Sequence, residues 1–492
     1  MNILFVYPQY PETFWSFKHS LKFIFKKALM PPLGILTIAP MLDDKKFEKK
    51  LLDMNISKLT NKHLLWADYV FISAMITQKD SAKKVIEKCK KLNKKIVAGG
   101  PLFTSLYKEF PEIDYFVLGE GEITLPEFLD DLENGTPKRI YSSDIKPDLA
   151  KSPIPQWDLV NFRAYSKMPL QFSRGCPFDC EFCDIVNLNG RIPRTKDPEQ
   201  IVQELDALTN IGYKSSIFIV DDNFIGNKTK VKELLNKLIE WRKTSKTKPT
   251  FMTEVSLNLA DDDELLDLMR QAGFDAVFIG LETPSSEGLE ECGKLQNKNR
   301  DLVGCVRKIH NYGMEVTAGF IVGFDSDDMS IFKRQIEFIQ QTGVVVAMIG
   351  LLQALPGTRL YERLKNENRL LKNCSGNNTD FSLNFLPKIE PDILIKGYKN
   401  IISSVYSNQK YYERILTFLK DYNHYNSGKF NLRYIPALFR SMLEQGIFQK
   451  GRRYYWKLFF ISLFKYPKAF PKAISLAIYH AHFRKIYLKV AG

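Results

Sequence analysis

The chain has 492 residues, too many for one compact core, so two or three domains are expected. With 45% hydrophobic and 26% charged residues, its composition is that of a globular protein and excludes a disordered or fibrous chain. The net charge of +14 is lopsided: residues 440–492 hold 11 Lys/Arg and one acid, Glu444, so the basicity points to a local partner for the tail.

The first ten residues, "MNILFVYPQY", carry no basic region ahead of a long apolar stretch and read as a buried strand, not a signal peptide. No apolar run reaches the roughly 18 residues that span a bilayer. Four of the seven cysteines (Cys89, Cys292, Cys305, Cys374) are scattered without pairing logic, which argues against a disulfide framework and for a reducing, cytoplasmic setting.

Over residues 1–140, short apolar strands alternate with helices. The strands are "ILFVY" (3–7), "DYVFIS" (68–73), "KIVAGG" (95–100) and "DYFVLG" (114–119), and helices are expected over 79–93 and 123–133. This predicts an α/β, doubly wound, Rossmann-like parallel sheet that binds its ligand beyond the carboxyl ends of its strands. The turns there are small: "SAM" from Ser73, "GGP" from Gly99 and "GEGE" from Gly119. A dinucleotide would want GxGxxG after the first strand, where "PQYPETFW" has no glycine, and no phosphate loop is present. Cobalamin remains, beside a scaffold sheet with no ligand. The usual cobalamin loop DxHxxG is matched by "LLDMNIS", with Asp53 but Asn55 in place of the histidine, and His63 lies ten residues past Asp53. That excludes a histidine-ligated form at this loop.

A Pro-rich linker over 141–168 follows. From 169 to 360 a second α/β pattern runs through "LQFS" (170–173), "SIFIV" (216–220), "TFMTEV" (250–255), "AVFIGLE" (276–282), "EVTAGFIVG" (315–323) and "VVVAMIGLL" (344–352). Helices are expected over 197–210, 228–243, 261–272 and 328–341. Six strand–helix units predict a (β/α)6 partial barrel with its chemistry at the carboxyl ends. Residues 361–492 are aromatic, basic and mainly helical in pattern, and are expected to form a C-terminal domain.

Just past the first barrel strand, "RGCPFDCEFCDI" sets Cys176, Cys180 and Cys183 in a CxxxCxxC spacing. Structural zinc wants four ligands, and all six histidines are distant in sequence. Gly175 and Pro177 make the stretch a polar loop, against a reading as core cysteines. Three thiolates suit a 4Fe–4S cubane with one iron left open for substrate or cofactor.

This motif, the aromatic Phe182 directly before the third cysteine, and the six-unit domain together resemble the radical S-adenosylmethionine superfamily. The resemblance implies that the open iron chelates S-adenosylmethionine. One electron, from a donor such as flavodoxin or ferredoxin, then yields methionine and a 5′-deoxyadenosyl radical. It also implies cofactor contacts at the strand ends: Asp221 and Asp222 in "VDDNFIG", Glu254 in "EVSLN", Glu282 in "GLET" and Gly319 in "GFIVGF", with "LPGTRLY" closing the sixth strand. Each of these taken singly is equally a solvated carboxylate or a turn glycine.

The N-terminal half resembles the cobalamin domain of cobalamin-dependent radical enzymes in "MPPLGILTIAPML", "SAMITQ", "VAGGP" and "VLGEGEITLPEFL". By that likeness Ser73, Gly99 and Gly100 line the nucleotide tail and corrin, and Glu120 lies near the interface. Within that group the chain resembles the hopanoid C-2 methylase type, over roughly residues 1–385, in stretches such as "DIVNLNGRIPRTKDPEQ" and "FIVDDNFIGNKTK". This resemblance implies methyl transfer from methylcobalamin to an unactivated carbon, with a second S-adenosylmethionine restoring the methyl. Cyclisation, oxidation or rearrangement by the same cofactors, and a metal-stabilised membrane scaffold, are the alternatives. The tail "GRRYYWKLFFISLFKYPKAF" suits peripheral contact with an anionic membrane face and a lipid or isoprenoid-like small molecule as substrate, with an ordinary basic helical domain as the plainer alternative. A second cysteine cluster and an RNA-binding β-barrel are both missing from the pattern, so no nucleic acid partner is expected.

Overall fold

The computed structural model describes residues 1–371, 376–377, 381–424 and 435–491. Cys374 lies outside them, and the other six cysteines are free thiols.

The N-terminal sheet has six parallel strands: β1 (Asn2–Tyr7), β2 (Glu48–Asp53), β3 (Tyr69–Ser73), β4 (Lys95–Gly99), β5 (Tyr115–Val117) and β6 (Ile140–Tyr141). Their spatial order is β2-β1-β3-β4-β5-β6, so the winding reverses between β1 and β3, and a crevice opens at their carboxyl ends. Helices cover both faces, each over its own hydrophobic cluster. Strands β2 and β6 escape the sequence pattern because they are edges: "EKKLLD" buries only its last two residues, and β6 is two residues long.

The second sheet holds β7 (Met168–Leu170), β10 (Ile217–Ile219), β11 (Phe251–Glu254), β12 (Phe274–Glu282), β13 (Glu315–Val322) and β14 (Ala347–Leu351), all parallel and in sequence order. Strands β7 and β14 form the two edges, leaving the barrel open. Between β7 and β10 sits a small antiparallel pair, β8 (Ser173–Arg174) with β9 (Arg194–Thr195). The sequence predicts one strand over 170–173, but the ladder ends at Leu170. Beyond it, the backbone N–H groups of Phe172 and Ser173 donate to the Asp221 carboxylate (2.7 and 2.8 Å), and the chain leaves the sheet.

The C-terminal helices share most of their core with the barrel, beside a small cluster of Ala437, Ile474, Ile478 and Ala481 closed by Phe23. One cluster runs from barrel residues such as Ile279 and Ile349 into Tyr398, Ile415, Phe418, Leu476 and Phe483 of the helical region, and it takes in Phe14 from the N-terminal half. Phe14 stacks on Tyr406 (5.7 Å) and lies 5.8 Å from Phe483. His482 Nε2 lies 3.1 Å from the carbonyls of Thr13 and Phe14. The connection after β1 is thus pinned by the last helix, Phe470–Ala491.

Phe14→Ala removes a wholly buried ring shared by three parts of the chain. It should cost about 3–5 kcal/mol of stability, read as a lower melting temperature and a lower urea midpoint. An unchanged midpoint would mean that the junction is not packed as described.

Candidate active site at the carboxyl ends of both sheets

The cysteines lie on a loop that emerges from β8. Gly175 opens it at φ +103°, where a Cβ would come within 2.9 Å of the Ile192 carbonyl, so the turn needs glycine. Asp222 accepts from Gly175 N and from Asn189 Nδ2, both at 2.9 Å. Asp221 accepts from Phe172 N, Ser173 N and Ser173 Oγ. Burial pushes Asp221 up to about 7 against these three donors. Both carboxylates, expected from the resemblance at the cofactor, are engaged in holding the start of the cysteine loop. The far side of the loop is held by the helix Arg359–Asn366, inside and just after "LPGTRLY". Arg363 Nε donates to Glu181 (2.7 Å), Leu360 N to the Glu181 carbonyl (3.0 Å), and Arg359 to the Asp179 carbonyl. Phe182 packs on the small apolar cluster of Cys292, Phe324 and Leu360.

The near side is tied to the N-terminal half. Arg174 donates to Glu120 (2.7 Å) and, through both terminal nitrogens, to Glu122 (3.1 and 2.7 Å). Arg194 of β9 donates to both Glu120 oxygens (3.1 and 2.7 Å). Both acids come from "GEGE", at the start of the helix Gly121–Glu133, and all four side chains are largely buried. A forked guanidinium matches two carboxylates in fixed geometry. Although burial alone would raise it, Arg174 holds the Glu122 carboxyl below its usual range. The sequence marks Glu120 as near the interface. Arg174, Arg194 and Glu122 carry no motif signal, because ion-pair partners distant in sequence leave none.

Glu254 ends β11 and Glu282 ends β12. Burial, then the charges of Asp222 and Asp221, push Glu254 up to about 8, so it is mostly protonated at neutral pH. Glu282 sits at φ +63°, a left-handed position costly for a non-glycine, where the β12–β13 register shifts. That turn aims it at Lys294 (2.6 Å). Burial works against the Lys294 charge, but Glu282 and Cys180 raise its pKa above the ordinary value, which places the ammonium beside the cysteine loop. At Gly319 a Cβ would come 3.3 Å from the Phe278 ring and 4.0 Å from Glu282, so its absence keeps this space clear. Trp15, from the connection after β1, packs on Phe278 (4.8 Å). One N-terminal aromatic therefore reaches the barrel mouth.

At the crevice of the first sheet, Asn55 Oδ1 accepts from Tyr10 N (2.9 Å) and Nδ2 donates to Asp53 (2.7 Å). Asp53 also accepts from Tyr165 Oη (2.9 Å). Asn55 is spent inside the wall, and His63 is turned back on Thr60, whose N–H donates to Nδ1 (3.2 Å). Neither is presented as a cobalt ligand. The crevice between β1 and β3 is lined by Tyr10, whose hydroxyl donates to Met75 Sδ (3.2 Å). Gly100, at φ +84°, lets the chain pass against Ser73, whose Oγ would be 2.6 Å from a Cβ there, while a Cβ on Gly99 would be 2.7 Å from the Val117 carbonyl. Ser73, Gly99 and Gly100 thus gather at the adjacent ends of β3 and β4.

The three thiols fit a cluster better than a single ion. Burial pushes Cys183 up to about 12 and raises Cys176 and Cys180, and Cys183 also feels the charge of the other two. Among the described residues, no three His, Cys, Asp or Glu side chains are gathered tightly enough around one point to hold one metal ion. Zinc would need sulfurs about 2.3 Å from a common centre. Asn223 Nδ2 lies 4.0 Å from Cys176 Sγ.

Two outcomes follow. Arg174→Gln leaves Glu122 buried without its cation, while Glu120 keeps Arg194, and should cost about 3–5 kcal/mol, read in urea unfolding, with lower iron retention after anaerobic reconstitution. In the metal-free protein, Glu254 binds its proton more tightly folded than unfolded, so it erodes stability as pH rises from its ordinary 4.5 through about 8. Glu254→Gln should flatten that decline, and its melting temperature should overtake the parent's as pH approaches 8. Parallel pH curves for the two proteins would show that folding leaves the proton affinity of Glu254 unchanged.

Comparisons with known proteins match this geometry. Residues 27–129 match the B12 binding domain, residues 170–339 the radical SAM superfamily, and residues 358–492 a domain of unknown function. An uncharacterized methyltransferase of Synechocystis sp. is 41% identical over 98% of this chain and 91% of its own. The hopanoid C-2 methylase of Rhodopseudomonas palustris is 34% identical over 84% of this chain and 78% of its own. Among solved structures, the cobalamin-dependent S-adenosylmethionine radical enzyme OxsB shares the fold with a TM-score of 0.66 at 15% identity, covering 99% of this chain and 80% of that one. With the thiols, the switch-point crevice and these relatives together, the chain belongs to the cobalamin-dependent radical S-adenosylmethionine methyltransferase family.

Proposed function

We propose that the protein methylates an unactivated carbon of a lipid- or isoprenoid-like small molecule held between the two carboxyl edges. Residues 1–140 carry the cobalamin part in this reading, and 169–360 the radical part, joined by the linker 141–168. The observation that carries it is the meeting of both edges at one place, where Arg174 grips Glu120 and Glu122 while Trp15 lies on Phe278. The hopanoid C-2 methylase among the relatives supports a hydrophobic substrate.

When bound, the cluster with S-adenosylmethionine supplies a hydrogen-abstracting radical and cobalamin supplies the methyl group. Cys176, Cys180 and Cys183 would hold the cluster. The Lys294 ammonium and the Glu282 carboxylate flank it with a fixed pair of charges, suited to orienting an amino-acid group. Glu254 keeps a proton in the mouth and so presents a donor without adding charge. Asp221 and Asp222 act one step back, fixing the loop from which the thiolates project. Ser73, Gly99 and Gly100 would admit the cobalamin tail. Trp15, Phe278 and the clear space at Gly319 keep water out and offer apolar surface to a hydrocarbon. An electron carrier such as flavodoxin or ferredoxin and contact with the inner membrane face belong to the same reading.

The test is anaerobic reconstitution with S-adenosylmethionine labelled on its methyl, a one-electron reductant and a lipid extract. The expected result is 5′-deoxyadenosine together with label in the lipid fraction, and neither from Cys183→Ala. Deoxyadenosine with label confined to methionine would instead favour cyclisation, oxidation or rearrangement.

A further inference from the structure

The tail's composition says that it is basic and aromatic, and the fold shows where those groups stand. The last helix is mostly core: Ala473, Leu476, Ala477, His480 and Phe483 are buried. The exposed aromatics lie elsewhere. Among the described residues five phenylalanines are exposed, and all five belong to one neighbourhood: Phe25, Phe439, Phe448, Phe460 and Phe464. Phe448, Phe464 and Phe25 are 80%, 78% and 73% exposed, far beyond what an isolated surface aromatic needs.

These residues are in mutual reach. The helix Ile435–Leu443 and the turn Glu444–Phe448 continue one another, with Phe439, Leu443 and Ile447 exposed at four-residue steps. Trp456 of the helix Arg452–Lys465 donates to the Gly446 carbonyl (2.9 Å), which binds the two segments side by side. Trp456 stacks on Phe460 (5.8 Å), and Phe460 on Phe464 (6.4 Å). Phe25 joins from the N-terminal half, with the Arg440 guanidinium 5.9 Å from its ring. Its φ of +57° is costly for a bulky residue, so the ring is held outward against its backbone preference.

Cations surround the rings. Lys450, Arg452, Lys457, Lys465 and Lys468 are exposed, and among the described residues none has a carboxylate partner. Lys457 sits one helical turn before Phe460 on the helix Arg452–Lys465, and Lys468 lies in the short turn Pro467–Ala469 that follows that helix. Beside Phe25, a pocket of about 470 Å³ is lined by Lys26, Arg163 and Lys214, again with no carboxylate. Glu444, the sole acid of residues 435–491, is consumed by Arg440 (2.9 Å). No helix among the described residues is long and apolar enough to cross a membrane.

We infer that the protein docks on an anionic lipid bilayer through this surface, with Phe25, Phe448, Phe460 and Phe464 entering the acyl boundary and the unpaired cations, including the Lys26–Arg163–Lys214 pocket, lying at the phosphates. Exposed rings interleaved with unpaired cations are complementary to a sheet of anionic headgroups over hydrocarbon. An acidic protein would match the cations but leave the rings in water, and a second copy would set cation against cation. The segment that carries Phe25 is also joined to the crevice wall through the interior. Lys27 N donates to the Ala164 carbonyl (2.8 Å), Ala28 bridges to Tyr165, and Tyr165 reaches Asp53. These contacts tie the segment that carries Phe25 to the buried wall of the crevice, and a bilayer-docked enzyme would suit the lipid-like substrate proposed above. The inference deepens that reading of the substrate, and its test does not depend on methyl transfer.

The test is flotation of the full-length protein with vesicles of phosphatidylcholine alone or mixed with phosphatidylglycerol. Binding to the anionic vesicles, weakened by salt, is expected. The Phe25→Ser, Phe448→Ser, Phe464→Ser triple variant should lose binding at all salt concentrations while keeping its melting temperature and its reductive cleavage of S-adenosylmethionine. The Lys450→Glu, Lys457→Glu, Lys465→Glu variant should bind anionic vesicles at least 100-fold more weakly, at about fivefold per cation. No flotation with anionic vesicles at low salt would overturn the inference. So would binding unchanged in the triple variant, or a dimer in sedimentation that the same triple variant abolishes. Flotation as expected, with no label entering lipid, would sink the proposed substrate and leave the docking surface standing.

Discussion

The structure depends on a buried charge contact across its main seam. Arg174 stands two residues before the first cysteine, and its partners Glu120 and Glu122 open a helix of the other half. Removing these groups from water is expensive, and the cost is offset because both terminal guanidinium nitrogens meet carboxylate oxygens at 2.7–3.1 Å while Nε donates to the Gln171 side-chain carbonyl (2.8 Å). The return is geometric. A hydrophobic seam tolerates sliding by a fraction of a side chain, while a forked guanidinium between two acids holds one register. Chemistry divided between two cofactors needs such a register, since rates fall steeply when reacting atoms are misplaced by about 1 Å.

Around that contact the cysteine loop is suspended, with little regular structure of its own. Asp221 and Asp222 hold its first turn, and Arg359 and Arg363 hold its middle. Each support comes from the carboxyl end of a strand or the helix that follows it. The open barrel thus acts as a ring of fixed points around an irregular loop. The same ring arranges charge: Glu282 and Lys294 as a pair, Glu254 kept neutral by its acidic neighbours and its burial.

Much of this was legible in the sequence, and the divisions follow physical lines. Continuous apolar strands such as "ILFVY" and "VVVAMIGLL" report burial on both faces, so both sheets could be read. The edges β2 and β6 could not, because half-exposed strands lose that signal. The cysteine spacing was legible because metal chemistry restricts ligands to a short loop. The work done by Asp221 and Asp222 was not, because a carboxylate beside a strand end has the same letters whether it faces a ligand or caps a backbone. Arg174 and Trp15 were invisible for another reason: their partners Glu120 and Phe278 lie far away in the sequence, and Lys294 reaches Glu282 only through the left-handed turn that ends β12. The tail's charge was legible, but which of its aromatics are core and which are exposed required the packing.

The connection from β1 to the helix Leu33–Ile38 has a consequence for how such chains can be recombined. In one stretch it sets Tyr10 at the crevice, Phe14 in the shared core under the last helix, Trp15 in the barrel mouth and Phe25 on the outer face. A chimera joined at the obvious linker, carrying one relative's first domain on another's barrel, would import this stretch without the helix that clasps it. The natural unit of exchange is therefore discontinuous: the first domain together with the end of the chain. Evolution of new substrates in this architecture would be expected to proceed by substitution within the seam more readily than by shuffling of modules.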